Sequence, residues 1–147
     1  MALKIGSVAP EFSLASTSGE TFSLSEIKGK VCVLYFYPKD FTPGCTKQAC
    51  SFRDQFAELR GLEVPVFGIS RDSVDTHLKF KEQHGLPFDL LADEDGTVAK
   101  LYEARMPLIG VTKRVTYLID GDGKIAAAHD ELFGDESHVR EMIKALG

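Results

Sequence analysis

The alternation of hydrophobic and polar positions along this 147-residue chain changes period several times, and each change marks an element. Residues 12–15 and 21–24 alternate around Thr17-Ser18-Gly19, the pattern of a small β-hairpin. Lys28-Gly29-Lys30 then leads into VCVLYFY, a continuous β-branched and aromatic run that predicts a strand buried on both faces, and Pro38 ends it. From 43 to 60 the period becomes helical, with Ala49, Phe52, Phe56 and Leu59 three and four residues apart and Gly61 as the stop. Residues 64–70 read as a second buried strand. Asp72-Ser73 can cap a helix that runs to about His84 and is closed by Gly85. A short strand is expected at 88–91 and a short helix over 97–102. Segments 114–119 and 124–128 flank Asp120-Gly121-Asp122-Gly123 and predict an antiparallel hairpin. A last helix starts near Asp135 and presents Val139, Met142, Ile143 and Leu146 on one face.

Strands and helices alternate through the first half, which implies parallel crossovers, and a hairpin and helix finish the chain. The expectation is one α/β domain over residues 1–147: a mixed central β-sheet flanked by helices on both faces, with an N-terminal β-hairpin. No repeat, low-complexity stretch or linker suggests a second domain.

Composition agrees with such a domain: 44% of residues are hydrophobic and 27% charged. Seventeen Lys and Arg against 22 Asp and Glu leave a formal charge of -5, which argues against nucleic acid as a partner. The longest apolar run, 31–37, is far too short to cross a bilayer. The opening MALKIGSVAPEF lacks the apolar core of a signal peptide and the basic, Ser-rich character of a transit sequence, so a cytoplasmic location is expected. The three cysteines, at 32, 45 and 50, cannot close a framework of structural disulfides. In a reducing compartment a close pair points to catalysis or metal binding.

In folds of this class, chemistry gathers where the carboxyl end of a strand meets the next helix, here the segment PKDFTPGC. Pro43 suits the first helical position, and Thr42 before it can cap the helix with its hydroxyl in the pocket at the N-terminus. Cys45 then falls in the first turn, where unpaired N–H groups and the positive dipole end favour a thiolate. A thiolate can cleave an O–O bond and become a sulfenic acid. A cation nearby would hold the charge, and Lys39, Lys47, Lys113 and Arg114 are the candidates. Cys50 follows five residues later, about 7.5 Å along an ideal helix and roughly 140° around it. Their Cα atoms would then lie more than about 8 Å apart, beyond the usual limit of about 7 Å for a disulfide. If the two sulfurs join, the first turns of the helix must unwind.

Taken one at a time, these residues have plainer explanations. A cysteine at a helix start also serves as a core or capping residue, and Cys50, beside Ala49, also reads as a buried small hydrophobe. Cys32, inside the apolar strand, reads as packing. Zinc held by the cysteines and a histidine would lack the usual C-x2-C or H-x3-H partner cluster. No C-x-x-C is present, which counts against a dithiol oxidoreductase. Arg114 could be solvated on an edge strand, and His77, His84, His129 and His138 read as surface residues.

The residues together resemble the peroxiredoxins. Pro38, Thr42 and Cys45 match the P-x-x-x-T/S-x-x-C signature, and YFYPKDFTPGCTKQAC is similar to the bacterioferritin comigratory protein or peroxiredoxin Q branch. GSVAPEFSL, GKVCVLYFYP, VFGISRDS, FDLLADEDG and RVTYLID extend the resemblance over nearly the whole chain. It implies a thioredoxin-like fold and thiol-dependent reduction of hydrogen peroxide and organic hydroperoxides, in antioxidant defence. By this resemblance Cys45 is the peroxidatic cysteine and Cys50 the resolving one, joined in an intramolecular disulfide that thioredoxin, or a similar dithiol reductant, reduces. Thr42 would hydrogen-bond peroxide and thiolate, Pro38 would shield the site from water, Arg114 would be the activating cation, and Gln48 would position it. No metal, haem or flavin is implied, and Cys32 inherits no role. A monomer completes such a cycle; a dimer is compatible with it. Two other functions use the same residues: a peroxide sensor or redox relay passing a disulfide to a partner protein, and a binding module with an inert cysteine.

Overall fold

The structure, a computed structural model, describes residues 2–61, 64–106, 110–130, 142, 144 and 145, with 56–61 as backbone. Among the described residues, seven strands form one sheet. They are β1 (Ser13–Ser16), β2 (Thr21–Ser23), β3 (Cys32–Phe36), β4 (Val66–Ser70), β5 (Asp89–Ala92), β6 (Val115–Ile119) and β7 (Ile125–Asp130), in the order β2-β1-β5-β4-β3-β6-β7. Three helices cross between them: α1 (Pro43–Gly61), α2 (Val74–His84) and α3 (Thr97–Leu101). The pairs β3–β4 and β4–β5 are parallel and every other pair is antiparallel. The mixed α/β architecture matches the expectation. Two details differ from it. Leu24 leaves the hairpin to open a 3-10 turn, Leu24–Ile27, and the hairpin joins the central sheet through Ala15↔Ala92 and Ser16↔Leu91. The expected last helix falls largely outside the described residues; within it Met142 is helical and buried.

β3 explains why the sheet carries helices on both faces. All five of its residues are buried, and its side chains divide by parity. Cys32, Leu34 and Phe36 pack on one side with Val98 and Ala99 of α3, while Val33, Tyr35 and Tyr37 pack on the other with Ala49 and Phe52 of α1 and Phe80 of α2. A strand covered twice has no solvent face, hence the unbroken apolar run in the sequence. Tyr35 stacks on Phe52 at 4.6 Å between ring centroids, and it lies against Gly68 of β4 so closely that a Cβ there would fall 2.7 Å from its hydroxyl. Along α1, Cys45, Ala49 and Phe52 are buried as the helical period predicts; Phe56 and Leu59 lie outside the described side chains.

The ends of α2 follow local rules. Ser73 accepts a hydrogen bond from the Thr76 amide at the N-cap, and Gly85 closes the helix in the left-handed region at φ 59°. In the β6–β7 hairpin the Asp120 carboxylate accepts from the amides of Asp122 and Lys124, both at 3.0 Å.

Candidate active site

β3 runs out at Phe36, Tyr37 still donates its amide to Ile69 O of β4, and the chain turns through residues 38–42 into α1. Thr42 is the true start of the helix, since its carbonyl accepts the first helical bond from the Thr46 amide at 2.8 Å. Its hydroxyl donates to Lys39 O at 2.8 Å and so ties the loop to itself. Pro38 is half-buried under the turn. Cys45, three residues into α1, is 1% exposed.

The cation arrives from the far strand by register. Antiparallel pairing sets Phe36 opposite Val115, so Arg114 stands beside the carboxyl end of β3, where α1 begins. Parity then decides its face. Val115 and Ile119 belong to the α3 side and Leu118 to the α1 side, so Arg114, one residue before Val115, projects toward α1. There its Nη1 donates to Cys45 Sγ at 2.9 Å and to Gln48 Oε1 at 3.4 Å. Gln48, one turn beyond Cys45, is wholly buried. Positive charge thus reaches the sulfur from the guanidinium and from the N-terminal end of a 19-residue helix. Lys39 and Lys47 are exposed and Lys113 pairs with Asp130 at 3.7 Å; of the four candidate cations, Arg114 has the described contact with Cys45.

Cys50 also lies on α1, half-buried, and all three cysteines are free. Both Cys45 and Cys50 are inside one continuous helix, so the separation derived from ideal geometry applies, and a direct bond is out of reach. Cys50 Sγ lies 3.9 Å from His84 Nδ1 at the end of α2. Cys32 is fully enclosed in β3, where burial pushes its thiol up to about 12. That is the packing role expected of it.

The sequence reading missed a buried network under the loop. His77, expected at the surface, is 0% exposed. Its Nδ1 meets Asp40 Oδ2 at 2.6 Å and its Nε2 meets Leu91 O at 3.0 Å. A carbonyl can only accept, so Nε2 carries a proton, and one further proton sits between Nδ1 and Asp40. The pair is therefore neutral as a unit, which makes its burial tolerable. Tyr37 donates its hydroxyl to Asp40 Oδ1 at 2.5 Å, and burial, with the charges of Tyr35 and Asp40, pushes the Tyr37 pKa well above its ordinary value. The Asp40 amide donates to Asp72, whose carboxylate also accepts from Ser70. The loop is thereby bolted to α2, β4 and β5. Between this anchor and Thr42, Phe41 is held at φ 65°, a conformation that carries about 1–3 kcal/mol of strain for a side-chain-bearing residue. The overlooked signal was spacing: His77, Phe80 and His84 lie at i, i+3 and i+7, the inward stripe of a helix. His84 is correspondingly half-buried, with its ring edge-on to Phe80 at 4.9 Å.

Asp40, Asp72 and His77 are the one group among the described residues close enough to share a metal ion. Their facing atoms are already engaged in the hydrogen bonds above, and no cysteine takes part. No helix among the described residues is long and apolar enough to cross a membrane.

A model of the AhpC/TSA family matches residues 5–128. The chain is 44% identical to a putative peroxiredoxin bcp of Coxiella burnetii, over 99% of this chain and the whole of the relative. It is 42% identical to the chloroplastic peroxiredoxin Q of Oryza sativa subsp. japonica, over 96% of this chain and 65% of that one. Among solved structures, the peroxidoxin BcpB of Mycobacterium tuberculosis superposes with a TM-score of 0.91 at 34% identity, covering 98% of this chain and 96% of the other.

Proposed function

This chain belongs to the AhpC/TSA family as a peroxiredoxin of the Bcp and peroxiredoxin Q kind, and from that we propose a two-cysteine catalytic cycle contained in one helix. Peroxiredoxins are thiol-dependent peroxidases with a thioredoxin-like fold. The Cys45 thiolate attacks one oxygen of the hydroperoxide. An S–O bond forms, the O–O bond breaks, and the departing alkoxide or hydroxide takes a proton and leaves as alcohol or water. The Cys45 sulfenic acid then reacts with Cys50: a disulfide forms within the chain and water leaves. Thioredoxin, or a similar dithiol, reduces that disulfide in the cytoplasm. The cycle needs no metal, haem or flavin, and a single chain can complete it.

The observation that carries this reading is the 2.9 Å contact of Arg114 with Cys45 at the start of a helix. A guanidinium there favours the thiolate before attack and neutralises the charge that develops on oxygen during it. The Thr42 hydroxyl, whose hydrogen bond is donated to Lys39 O, offers lone pairs to the peroxide O–H and so orients it. Gln48 holds the arginine, and Pro38 limits water at the sulfur.

Steady turnover tests the proposal. With thioredoxin, its reductase and NADPH, the protein should consume many equivalents of hydrogen peroxide, and Cys45→Ser should consume none. Persistent turnover in Cys45→Ser would remove Cys45 as the nucleophile. A single cycle ending in a stable mixed disulfide would make the protein a relay and not a peroxidase.

A further inference from the structure

Resolution needs Cys50 as a thiolate, yet Cys50 lies beyond the first turn of α1, far from the amides that serve Cys45. Its sulfur instead faces an imidazole: His84 Nδ1 lies 3.9 Å away, across the gap between α1 and the last residue of α2. We propose that His84 is the general base of the resolving step, taking the Cys50 proton and passing it on to solvent water. This inference rests on the reading of Cys50 as the resolving cysteine.

The geometry supplies what such a base needs. With its proton on Nε2, neutral His84 presents the Nδ1 lone pair to the thiol. The ring is fixed edge-on against Phe80 at 4.9 Å. The backbone carbonyl of His84 accepts from Arg53 Nη1 at 2.8 Å, a link that pins the end of α2 to α1 just past Cys50. The imidazolium formed by proton transfer sits at the carbonyl end of α2, where a helix stabilises positive charge. Its partner thiolate lies near the Arg53 guanidinium; Asp54 hydrogen-bonded to that group raises its pKa, with the Cys50 sulfur adding to the effect.

The chemistry balances. Cys50–SH and neutral His84 become thiolate and imidazolium. The thiolate attacks the sulfur of Cys45–SOH, an S–S bond forms, and the S–O bond breaks. The hydroxide takes a proton from solvent water, the imidazolium gives its proton back to the solvent, and the products are disulfide, water and neutral His84. No outside oxidant enters beyond the peroxide already consumed. Because the sulfurs cannot meet within the intact helix, the proton is taken first and the helix opens afterwards.

Other groups bear on the pH dependence. Among the described residues, Arg53 and Asp54 of α1 adjoin Cys50, and the Tyr35 hydroxyl of β3 feels its charge; burial first, then Asp40, Cys45 and Cys50, raise the Tyr35 pKa. Arg53 stays charged and Tyr35 neutral across pH 6–9, so neither titrates in the window of the test.

The experiment follows the closing step alone. Sulfenic acid is generated with one equivalent of peroxide, samples are quenched in acid at short times, and disulfide is counted by mass spectrometry. In the wild-type protein closure should accelerate as pH rises through the range in which histidines lose their proton, roughly pH 5 to 8. His84→Phe keeps a ring against Phe80 and removes the base. It should close about 100-fold more slowly at pH 7, the lower end of what a positioned base contributes. Its rate should lack the rise through the histidine range. Added imidazole should restore closure in His84→Ala. Wild-type rates in His84→Phe across this pH range, or no rescue of a slowed His84→Ala, would overturn the role. A wild-type protein that forms no Cys45–Cys50 disulfide at all would instead remove the two-cysteine reading, and this role with it.

Discussion

The charge that reaches Cys45 comes from a residue 69 positions away in the chain. Arg114 is brought in by strand register and given its direction by strand parity, so its placement depends on the pairing of β3 with β6 more than on its neighbours in sequence. Arg114→Ala should therefore slow Cys45 oxidation by about 100-fold, the scale of losing one preorganised electrostatic partner. Arg114→Lys should fall between the two, since it keeps the charge and loses the planar fork that spans Cys45 and Gln48. Rapid-mixing measurement of peroxide loss at limiting peroxide checks both; an unchanged rate in Arg114→Ala would show that another group supplies the charge. The sequence narrowed the cation to four residues and could go no further, because which cation reaches a sulfur is a tertiary fact. It misplaced His77 for a related reason. A single histidine on a helix reads as solvated until its partner is known, and that partner, Asp40, lies 37 residues earlier.

The strands and helices themselves were largely legible. Runs buried on two faces, caps such as Ser73, and stops such as Gly85 and Gly61 are local signals, and the described elements agree with them to within a few residues. The attachment of the N-terminal hairpin to β5 was not legible, since strand partners are chosen by long-range pairing. For α1 the sequence carried a more consequential message. Spacing alone says that Cys45 and Cys50 are too far apart to bond, and the continuous helix Pro43–Gly61 leaves that conflict standing. The strained Phe41 and the half-buried Cys50 lie at the two ends of the segment that must give way, while the Asp40–His77 anchor keeps the loop before it in place. Hydrogen exchange of the amides between 43 and 51 should accelerate when one equivalent of peroxide oxidises the protein and recover on reduction. Protection that is the same in both states would mean that the helix stays closed.

Taken whole, the molecule is a sheet whose core halves serve different ends. The α3 side, which encloses Cys32, is ordinary packing. The α1–α2 side carries the side chains at the two sulfurs of the proposed chemistry: Cys45, Gln48, Cys50, His84 and the inward-facing Arg114. In the proposed cycle these groups act together inside one chain. Its most direct test is peptide mapping of disulfides after a single equivalent of hydrogen peroxide, on an equal mixture of ordinary and 15N-labelled protein. A Cys45–Cys50 link should form in which both halves always carry the same label, and Cys32 should remain a thiol. Mixed-label disulfides, or a link that omits Cys50, would contradict it.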